Sequence, residues 1–250
     1  MLKVIAFDLW ETLITNTVEI SVAQKRLRLT RLEEVLTSHG HAAEAAQIER
    51  ALRMSWNRCK ELYWSKDRDI PCRRQIELFL EDFGVDAKRL DDKTLDDLEH
   101  VYATVAVDVL PAMVPGAAEM IAEVRRRGLR TGLISNTGRT PGYALREILA
   151  RLDLAPMLDV MVFSNEHGEC KPQPSIFERL RSALDVRYDE MLFIGDNLYV
   201  DVYGAKRCGM RAIHFLPPAR GTAVAPHVDV KIEADAVVTD LRDVLALIDG

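Results

Sequence analysis

The 250-residue sequence predicts an α/β protein, a doubly wound parallel sheet with an all-helical module inserted near its start. Two observations support this fold class. Short apolar runs recur along the chain without polar alternation, as in strands that are covered on both faces of a parallel sheet. Stretches with helical spacing separate the later runs, and strands that alternate with helices are typical of a doubly wound sheet.

The elements follow in order along the chain. The predicted strands are the apolar runs, at Leu2–Phe7, Leu129–Ile134, Val160–Phe163, Met191–Ile194 and Ala212–Leu216. The predicted core helices lie between the later runs, at Gly116–Arg127, Pro141–Leu152, Pro174–Leu184 and Val200–Cys208.

The interval from about Ser21 to Val107 has no convincing strand. Apolar residues recur there at three- to four-residue spacing, which predicts helices that bury one face. Pro111 and the Pro115-Gly116 pair mark the exit from this interval. We therefore expect two units, a core of residues 1–16 and 108–250 and a helical module of residues 17–107.

Composition excludes several classes of protein. Hydrophobic residues make up 48% of the chain and charged residues 29%, which is the balance of a globular protein. The net charge of -6 offers no broad positive field for a polyanion, so we expect no nucleic-acid partner. No run reaches the ~18 apolar residues of a membrane span, and the N-terminal apolar run is too short for a signal peptide.

The four cysteines lie far apart and form no Cys-x-x-Cys pair, so neither a zinc site nor a disulfide framework is indicated. Reduced thiols are typical of a cytoplasmic protein, and a cytoplasmic location is expected. The sequence carries no signal of oligomeric state.

Polar residues follow four of the predicted strands. In open parallel sheets, ligands bind at the carboxyl ends of the strands, so these positions are the first candidates for a site. They are Asp8 after the first strand, Ser135-Asn136 after the second, Lys171 in the loop after the third and Asp196-Asn197 after the fourth.

This set resembles the haloacid dehalogenase superfamily, hydrolases that use an aspartate nucleophile. The order of the motifs along the chain also matches: Asp8 and Thr12 stand for the first, Ser135 for the second, Lys171 for the third, and Gly195-Asp196 with Asp201 for the fourth. Any one motif is weak, but four in order on strand ends are specific. The resemblance covers the core, and the helical module matches by its position alone.

The resemblance implies a Rossmann-like core with a helical C1 cap, and a Mg²⁺-dependent phosphatase of small phosphorylated metabolites. Asp8 would be the nucleophile, and Ser135 and Lys171 would stabilise the phosphate. The Mg²⁺ ligands would be the Asp8 and Asp196 carboxylates and the backbone carbonyl of Trp10. The remaining implied residues are Trp10, Thr12 and Asn136 near the substrate, and Asn197 and Asp201, which would orient Lys171 or a metal-bound water.

Trp10 departs from the pattern, because phosphatases of this family carry a second aspartate there as the general acid and base. Tryptophan can do neither job, and the adjacent Glu11 is expected to face away. A cap residue is one alternative source of the acid, with His39, His41, Glu61 and His100 available. The sequence does not choose among them.

Two other functions stay open. The 2-haloacid dehalogenases of the family carry tyrosine at the Trp10 position and expel a halide, which needs no proton. They lack the Gly-Asp pair, so retention of Gly195-Asp196 favours a phosphorylated over a halogenated substrate. The third reading is a ligand-binding or regulatory protein on a hydrolase scaffold.

Structural roles compete with several of these assignments. Ser135-Asn136 and Asp201 are residue types that cap helices, and Lys171 is compatible with a solvated loop. The helical module also carries an aromatic set, Trp56, Tyr63 and Trp64. The helical spacing from Trp56 to Tyr63 favours packing in the core of the module, with a substrate-facing wall as the alternative.

Overall fold

The computed structural model describes residues 1–216 and 232–248. Its strands are β1 (Val4–Phe7), β2 (Ile14–Thr15), β3 (Ala112–Met113), β4 (Arg130–Ser135), β5 (Val160–Phe163), β6 (Met191–Gly195), β7 (Arg211–Phe215) and β8 (Ala236–Val238). Six of them form a parallel sheet in the order β5-β4-β1-β6-β7-β8. The chain fills one side of β1 first and then the other, which confirms the doubly wound α/β class.

Strand β1 shows why the strands appear in the sequence as continuous apolar runs. All four of its residues are fully buried. Ile5 and Phe7 belong to the hydrophobic cluster on one face of the sheet, whereas Val4 and Ala6 belong to the cluster on the other face. Successive side chains of a strand point to opposite faces, so a strand covered on both faces needs an apolar residue at every position.

The segment between β2 and β3 is helical, and we call Val18–Asp108 the cap. Its helices are α1 (Val18–Ser38), α2 (Ala45–Leu62), α3 (Cys72–Phe83), α4 (Asp92–Ala103) and α5 (Val105–Asp108). Its own core includes Leu32, Leu36, Ile48, Phe79 and Leu98, all fully buried. The inserted helical cap of the predicted fold is therefore present, while the division at residues 16/17 and 107/108 stays a prediction.

The two chain crossings between core and cap lie side by side. Strand β2 leads into the cap and β3 leads out of it, and they pair antiparallel, with Ile14 opposite Met113. Gln24, near the start of α1, donates to the carbonyl of Val109 at 2.8 Å and bonds to the amide of Asn16. Both crossings are thereby tied together at the base of the cap.

Helices cover both faces of the sheet. They are α6 (Ala117–Arg126), α7 (Gly142–Arg151), α8 (Ser164–His167), α9 (Pro174–Leu184), α10 (Gly204–Arg207) and α11 (Val244–Leu247). Residues of α6, α7 and α11 pack on one face, and residues of α9 and α10 pack on the other. Predicted and observed helices agree to within one residue for α6, α7 and α9.

The last predicted helix differs. A π-helical turn, Leu198–Tyr203, precedes α10, so the helical stretch begins two residues before the predicted Val200 and ends at Arg207. Strand β8 and the short pair β2–β3 were not predicted. Among the described residues, no helix is long and apolar enough to cross a membrane. All four cysteines are free thiols.

Candidate active site

Asp8 lies at the carboxyl end of β1, beside the end of β6. Its backbone N–H donates to the carbonyl of Ile194 at 2.9 Å, which fixes the start of the following loop. Glu11 adopts a positive φ of 61°, and the loop turns back so that the N–H groups of Leu13 and Ile14 donate to the carbonyl of Leu9. The turn leaves Asp8 at the switch point of the sheet, the position where this class of fold binds ligands.

Lys171 is held between two carboxylates. Its Nζ donates to Asp8 Oδ1 at 2.5 Å and to Asp201 Oδ1 at 2.7 Å, and its side chain is 1% exposed. Burial by itself would lower the pKa of Lys171, but the charges of Asp201 and Asp8 outweigh it and hold the pKa above its ordinary value. Lys171 is therefore a fixed positive charge beside Asp8, not a solvated loop lysine.

Asp201 lies inside the π-helical turn with both carboxylate oxygens engaged. Oδ1 accepts from Lys171, and Oδ2 accepts from the backbone N–H of Asn197 at 3.0 Å. Burial raises the pKa of Asp201 to about 6, against the lowering effect of Lys171. Asp201 thus combines the contact with Lys171 and a local hydrogen bond at the start of the turn.

Gly195 makes room for that arrangement. A Cβ atom at this position would lie 2.4 Å from the carboxyl carbon of Asp201, which is closer than non-bonded atoms approach. The neighbouring Asn197 is the N-cap of the turn, and its Oδ1 accepts from the backbone N–H groups of Tyr199 and Val200. Close packing against Asp201 therefore requires glycine at position 195.

Asn136 positions the backbone of Lys171. Its Nδ2 donates to the Lys171 carbonyl at 3.0 Å, and its Oδ1 accepts from the Lys171 N–H at 2.8 Å. The amide group therefore joins the loop after β4 to the loop that carries the lysine. The Ser135-Asn136 pair caps no helix, because α7 begins at Gly142 with Pro141 as its N-cap.

Ser135 and Thr12 are buried more deeply than the other predicted site residues. Both are fully buried. A cavity opens beside Asp8, and neither residue is among the described residues that line it. Thr12 Oγ1 donates to Asp8 Oδ2 at 3.3 Å, and Ser135 Oγ lies 3.4 Å from the carbonyl of Asn136. Contacts of these two hydroxyls with a substrate stay predictions.

The acidic residues of this site fit a divalent cation. Carboxylate oxygens of Asp8, Asp196 and Asp201 lie within 4.8 Å of one another. Mg²⁺ prefers oxygen ligands and needs only one or two carboxylates from the protein, since it keeps several waters. Asp8 and Asp196 border an open cavity together with Trp10, so the donor set is compatible with the predicted metal site.

Two cavities meet at this end of the sheet. The first, which we call the Asp8 cavity, has a volume of about 220 Å³ and is lined by Asp8, Trp10, Glu11, Asn136, Lys171, Asp196, Asn197, Val200 and Asp201. The second, the tryptophan cavity, has a volume of about 240 Å³ and is lined by Trp56, Trp64, Asp67, Asp69, Asn136, Thr137, Gly138, Cys170, Lys171 and Val200. Asn136, Lys171 and Val200 border both cavities, so the two spaces are neighbours.

The cap contacts the core beside the tryptophan cavity. Asp69 of the cap is buried, and it accepts hydrogen bonds from Thr137 Oγ1 at 3.0 Å and from Ser164 Oγ at 2.5 Å, both in the core. Gln75 Nε2 of α3 donates to the carbonyl of Gly138 at 2.8 Å. The cap is thus held against the loop that follows β4.

The family model for haloacid dehalogenase-like hydrolases matches residues 2–209. The chain belongs to this family. Glyceraldehyde 3-phosphate phosphatase of Pyrococcus furiosus is 27% identical over 99% of this chain and 93% of its own length. Phosphoserine phosphatase of Thermus thermophilus is 36% identical, but the match spans about half of each chain, 53% and 49%.

Among solved structures, 2-haloacid dehalogenase from Pseudomonas syringae pv. Tomato superposes over 100% of this chain and 99% of its own. The TM-score is 0.70 and the sequence identity 23%, a likeness of fold. The haloacid dehalogenase-like fold predicted from the motifs is confirmed, and the protein is a hydrolase of this family.

Within this hydrolase, several contacts were not predicted. Asp67 and Asp69, which line the tryptophan cavity, were not among the predicted site residues. Their signal was an Asp-x-Asp pair just before Ile70-Pro71, where the helical pattern breaks. None of the cap residues considered as a replacement acid is among the described residues that line either cavity: His39, His41, Glu61 and His100.

Proposed function

We propose that this hydrolase is a Mg²⁺-dependent phosphatase of small phosphorylated metabolites, with Asp8 as its nucleophile. The observation that carries the proposal is the set of carboxylates around Asp8, in which Asp196 is retained beside the Lys171–Asp201 pair. Loss of a halide needs no such metal ligand. The phosphatase name of the relative from Pyrococcus furiosus, which matches nearly the whole chain, agrees with this assignment.

The reaction we propose has two displacements. A carboxylate oxygen of Asp8 attacks phosphorus, a bond from that oxygen to phosphorus forms, and the ester P–O bond breaks with its electrons on the leaving oxygen. Water then attacks the aspartyl phosphate, which releases inorganic phosphate and restores the carboxylate. Lys171 keeps Asp8 oriented throughout and supplies positive charge beside the transferring group.

A Mg²⁺ ion would be held by the carboxylates of Asp8 and Asp196 and the carbonyl of Trp10, and it would offset the negative charge of the phosphate. Asn136 would contribute by holding the Lys171 backbone in place, and Asp201 and Asn197 by orienting Lys171 and the turn around it. Closure of the cap over this site would exclude bulk water.

The leaving oxygen gains no proton from residue 10, since an indole has no acidic proton to give. Contrary to the expectation that Glu11 faces away, it borders the Asp8 cavity, because the chain is not extended at its positive φ. Its Oε2, however, accepts a hydrogen bond from Thr15 Oγ1 at 2.6 Å. General acid–base catalysis is worth ~10²–10⁴-fold. Esters of acidic alcohols, which leave without a proton, are therefore the substrates that this site handles best.

Placing an acid at residue 10 tests this account. The Trp10→Asp variant should hydrolyse alkyl phosphates up to ~10²-fold faster than the wild type, because it gains a general acid beside the leaving oxygen. Aryl phosphates should gain much less. Trp10→Asn is the matched control, since it removes the same indole without supplying a proton. Equal gains in the two variants would show that relief of crowding, and not proton transfer, limits the wild type.

Phosphate release from a panel of aryl, sugar and nucleotide monophosphates tests the proposed activity itself. Turnover should require Mg²⁺ and stop when a chelator is added. Halide release from a 2-haloacid that persists in the chelator would overturn the proposal in favour of a dehalogenase, the function that the aromatic residue at position 10 favours. Tight binding of phosphate esters without turnover would instead favour a regulatory protein.

A further inference from the structure

We propose that the tryptophan cavity is the subsite for the alcohol part of the substrate, and that it selects phosphate esters carrying a flat aromatic ring. This inference rests on the proposed phosphatase function and names its substrate class. The cavity adjoins the Asp8 cavity through Asn136, Lys171 and Val200. A phosphate at Asp8 would therefore direct its ester group toward this space.

The indole of Trp56 forms a fixed wall of the cavity. The Arg139 guanidinium lies over its ring at 4.1 Å from the centroid, and the ring of Trp64 lies 4.4 Å away, centroid to centroid. A Cβ atom added at Gly138 would lie 3.4 Å from Trp56 Cη2, so the edge of the indole also reaches the loop after β4. Contacts on several sides hold this ring in one orientation.

The second indole is fixed by a hydrogen bond. Trp64 Nε1 donates to Asp69 Oδ1 at 2.8 Å. Asp69 is itself held by the hydroxyls of Thr137 and Ser164. Both aromatic walls are thus oriented before a ligand arrives, and binding a ring against fixed walls costs little conformational entropy.

The polar side chains around the cavity already have partners inside the protein. Asn136 is paired with the Lys171 backbone, and Lys171 Nζ is paired with Asp8 and Asp201. Asp67 Oδ2 accepts from Gln173 at 3.0 Å, and Asp69 accepts from four donors. A polyol would find few hydrogen-bonding groups there that are not already engaged, whereas an aromatic ring would find the apolar atoms of Trp56 and Trp64.

Size and chemistry agree with this assignment. The cavity of about 240 Å³ exceeds the ~150 Å³ that suffices to hold benzene in a protein interior. Aromatic alcohols, the phenols, are also the leaving groups that suffer least from the absence of an acid at Trp10. The aromatic lining of the cavity and the identity of residue 10 point independently to the same class of ester.

Binding of two phosphonates separates this subsite from leaving-group chemistry, because neither compound can be hydrolysed. Benzylphosphonate and ethylphosphonate carry the same head group and differ in the ring. In calorimetric titrations with Mg²⁺ present, the wild type should bind benzylphosphonate at least ~10-fold more tightly. Trp56→Leu should reduce that preference by about fivefold and leave ethylphosphonate binding unchanged.

Met54→Ala is the control, since Met54 is exposed on the same helix and lies outside both cavities. Trp56→Phe, which keeps an aromatic face, should show an intermediate preference and serves if Trp56→Leu does not fold. Equal affinities for the two phosphonates, or an equal loss of both in Trp56→Leu, would overturn the subsite even if esters are hydrolysed. Trp56-dependent binding of benzylphosphonate without turnover of any ester would keep the subsite and reject the phosphatase.

Discussion

Phosphate release by the Asp8→Asn variant is expected to fall by ~10³-fold or more, because an amide oxygen cannot replace the carboxylate as nucleophile. The substitution keeps the size of the side chain. The Lys171 ammonium keeps its contact with Asp201, so the fold should survive. Initial rates with Mg²⁺ and an aryl phosphate measure the loss, and circular dichroism checks the structure.

Asp92→Asn is the matched control for the same chemical change. Asp92 is an exposed residue in the first turn of α4. Its replacement should leave the rate and the fold unchanged and alter the free energy of unfolding by no more than a few tenths of a kcal/mol. Retention of more than a tenth of the wild-type rate in a folded Asp8→Asn protein would exclude Asp8 as nucleophile.

Removal of the buried ammonium should have the largest effect on stability. In Lys171→Met, the carboxylates of Asp8 and Asp201 would face each other without the cation that now lies between them. Breaking a buried ion pair from one side costs about 3–5 kcal/mol. Urea unfolding in the presence of a chelator measures this loss in the free energy of unfolding.

The loss should depend on pH in a definite direction. Without the lysine, the pKa of Asp201 in the folded state rises further above its ordinary value, because the charge that opposes the effect of burial is gone. A carboxyl whose folded pKa is raised destabilises the fold at pH values above that pKa, and this cost disappears as the group is protonated. The gap to the wild type should therefore be smaller at pH 5 than at pH 8.

Lys206→Met serves as the control, since Lys206 pairs with Asp235 at the surface and such pairs contribute about 0–1 kcal/mol. Adding Asp201→Asn to Lys171→Met should recover part of the lost stability, because it removes one of the two facing charges. A Lys171→Met protein as stable as Lys206→Met at pH 8 would contradict the structural role of this ammonium.

The central strands could be predicted because burial on both faces leaves a signal in the sequence. β1 and β4 to β7 overlap the predicted apolar runs, and the polar residues of the site follow the first four of these strands. β8 has three residues at the edge of the sheet, of which Val237 is 58% exposed, so it lacks that signal. β2 and β3 have two residues each, too few for any periodicity to show.

The site residues on strand ends could be predicted because the parallel sheet brings those ends together whatever the loops do. The contacts of the cap could not. Asp69 meets Thr137 and Ser164 across 68 and 95 residues of sequence, and no local pattern encodes such a pairing. The helical spacing of Trp56 likewise reports that one face is covered, but not that the loop carrying Gly138 covers it.

The pairing of β2 with β3 has a consequence for how a protein of this architecture can evolve. Neighbouring strands of an antiparallel pair lie about 5 Å apart, so the cap joins the core at two adjacent points and at no other place along the backbone. A recombination that exchanges the intervening segment has to match one short ladder, while the sheet and its Asp8–Lys171–Asp201 cluster keep their connectivity. The part that holds the two indole walls is therefore the part that is most readily replaced as a unit.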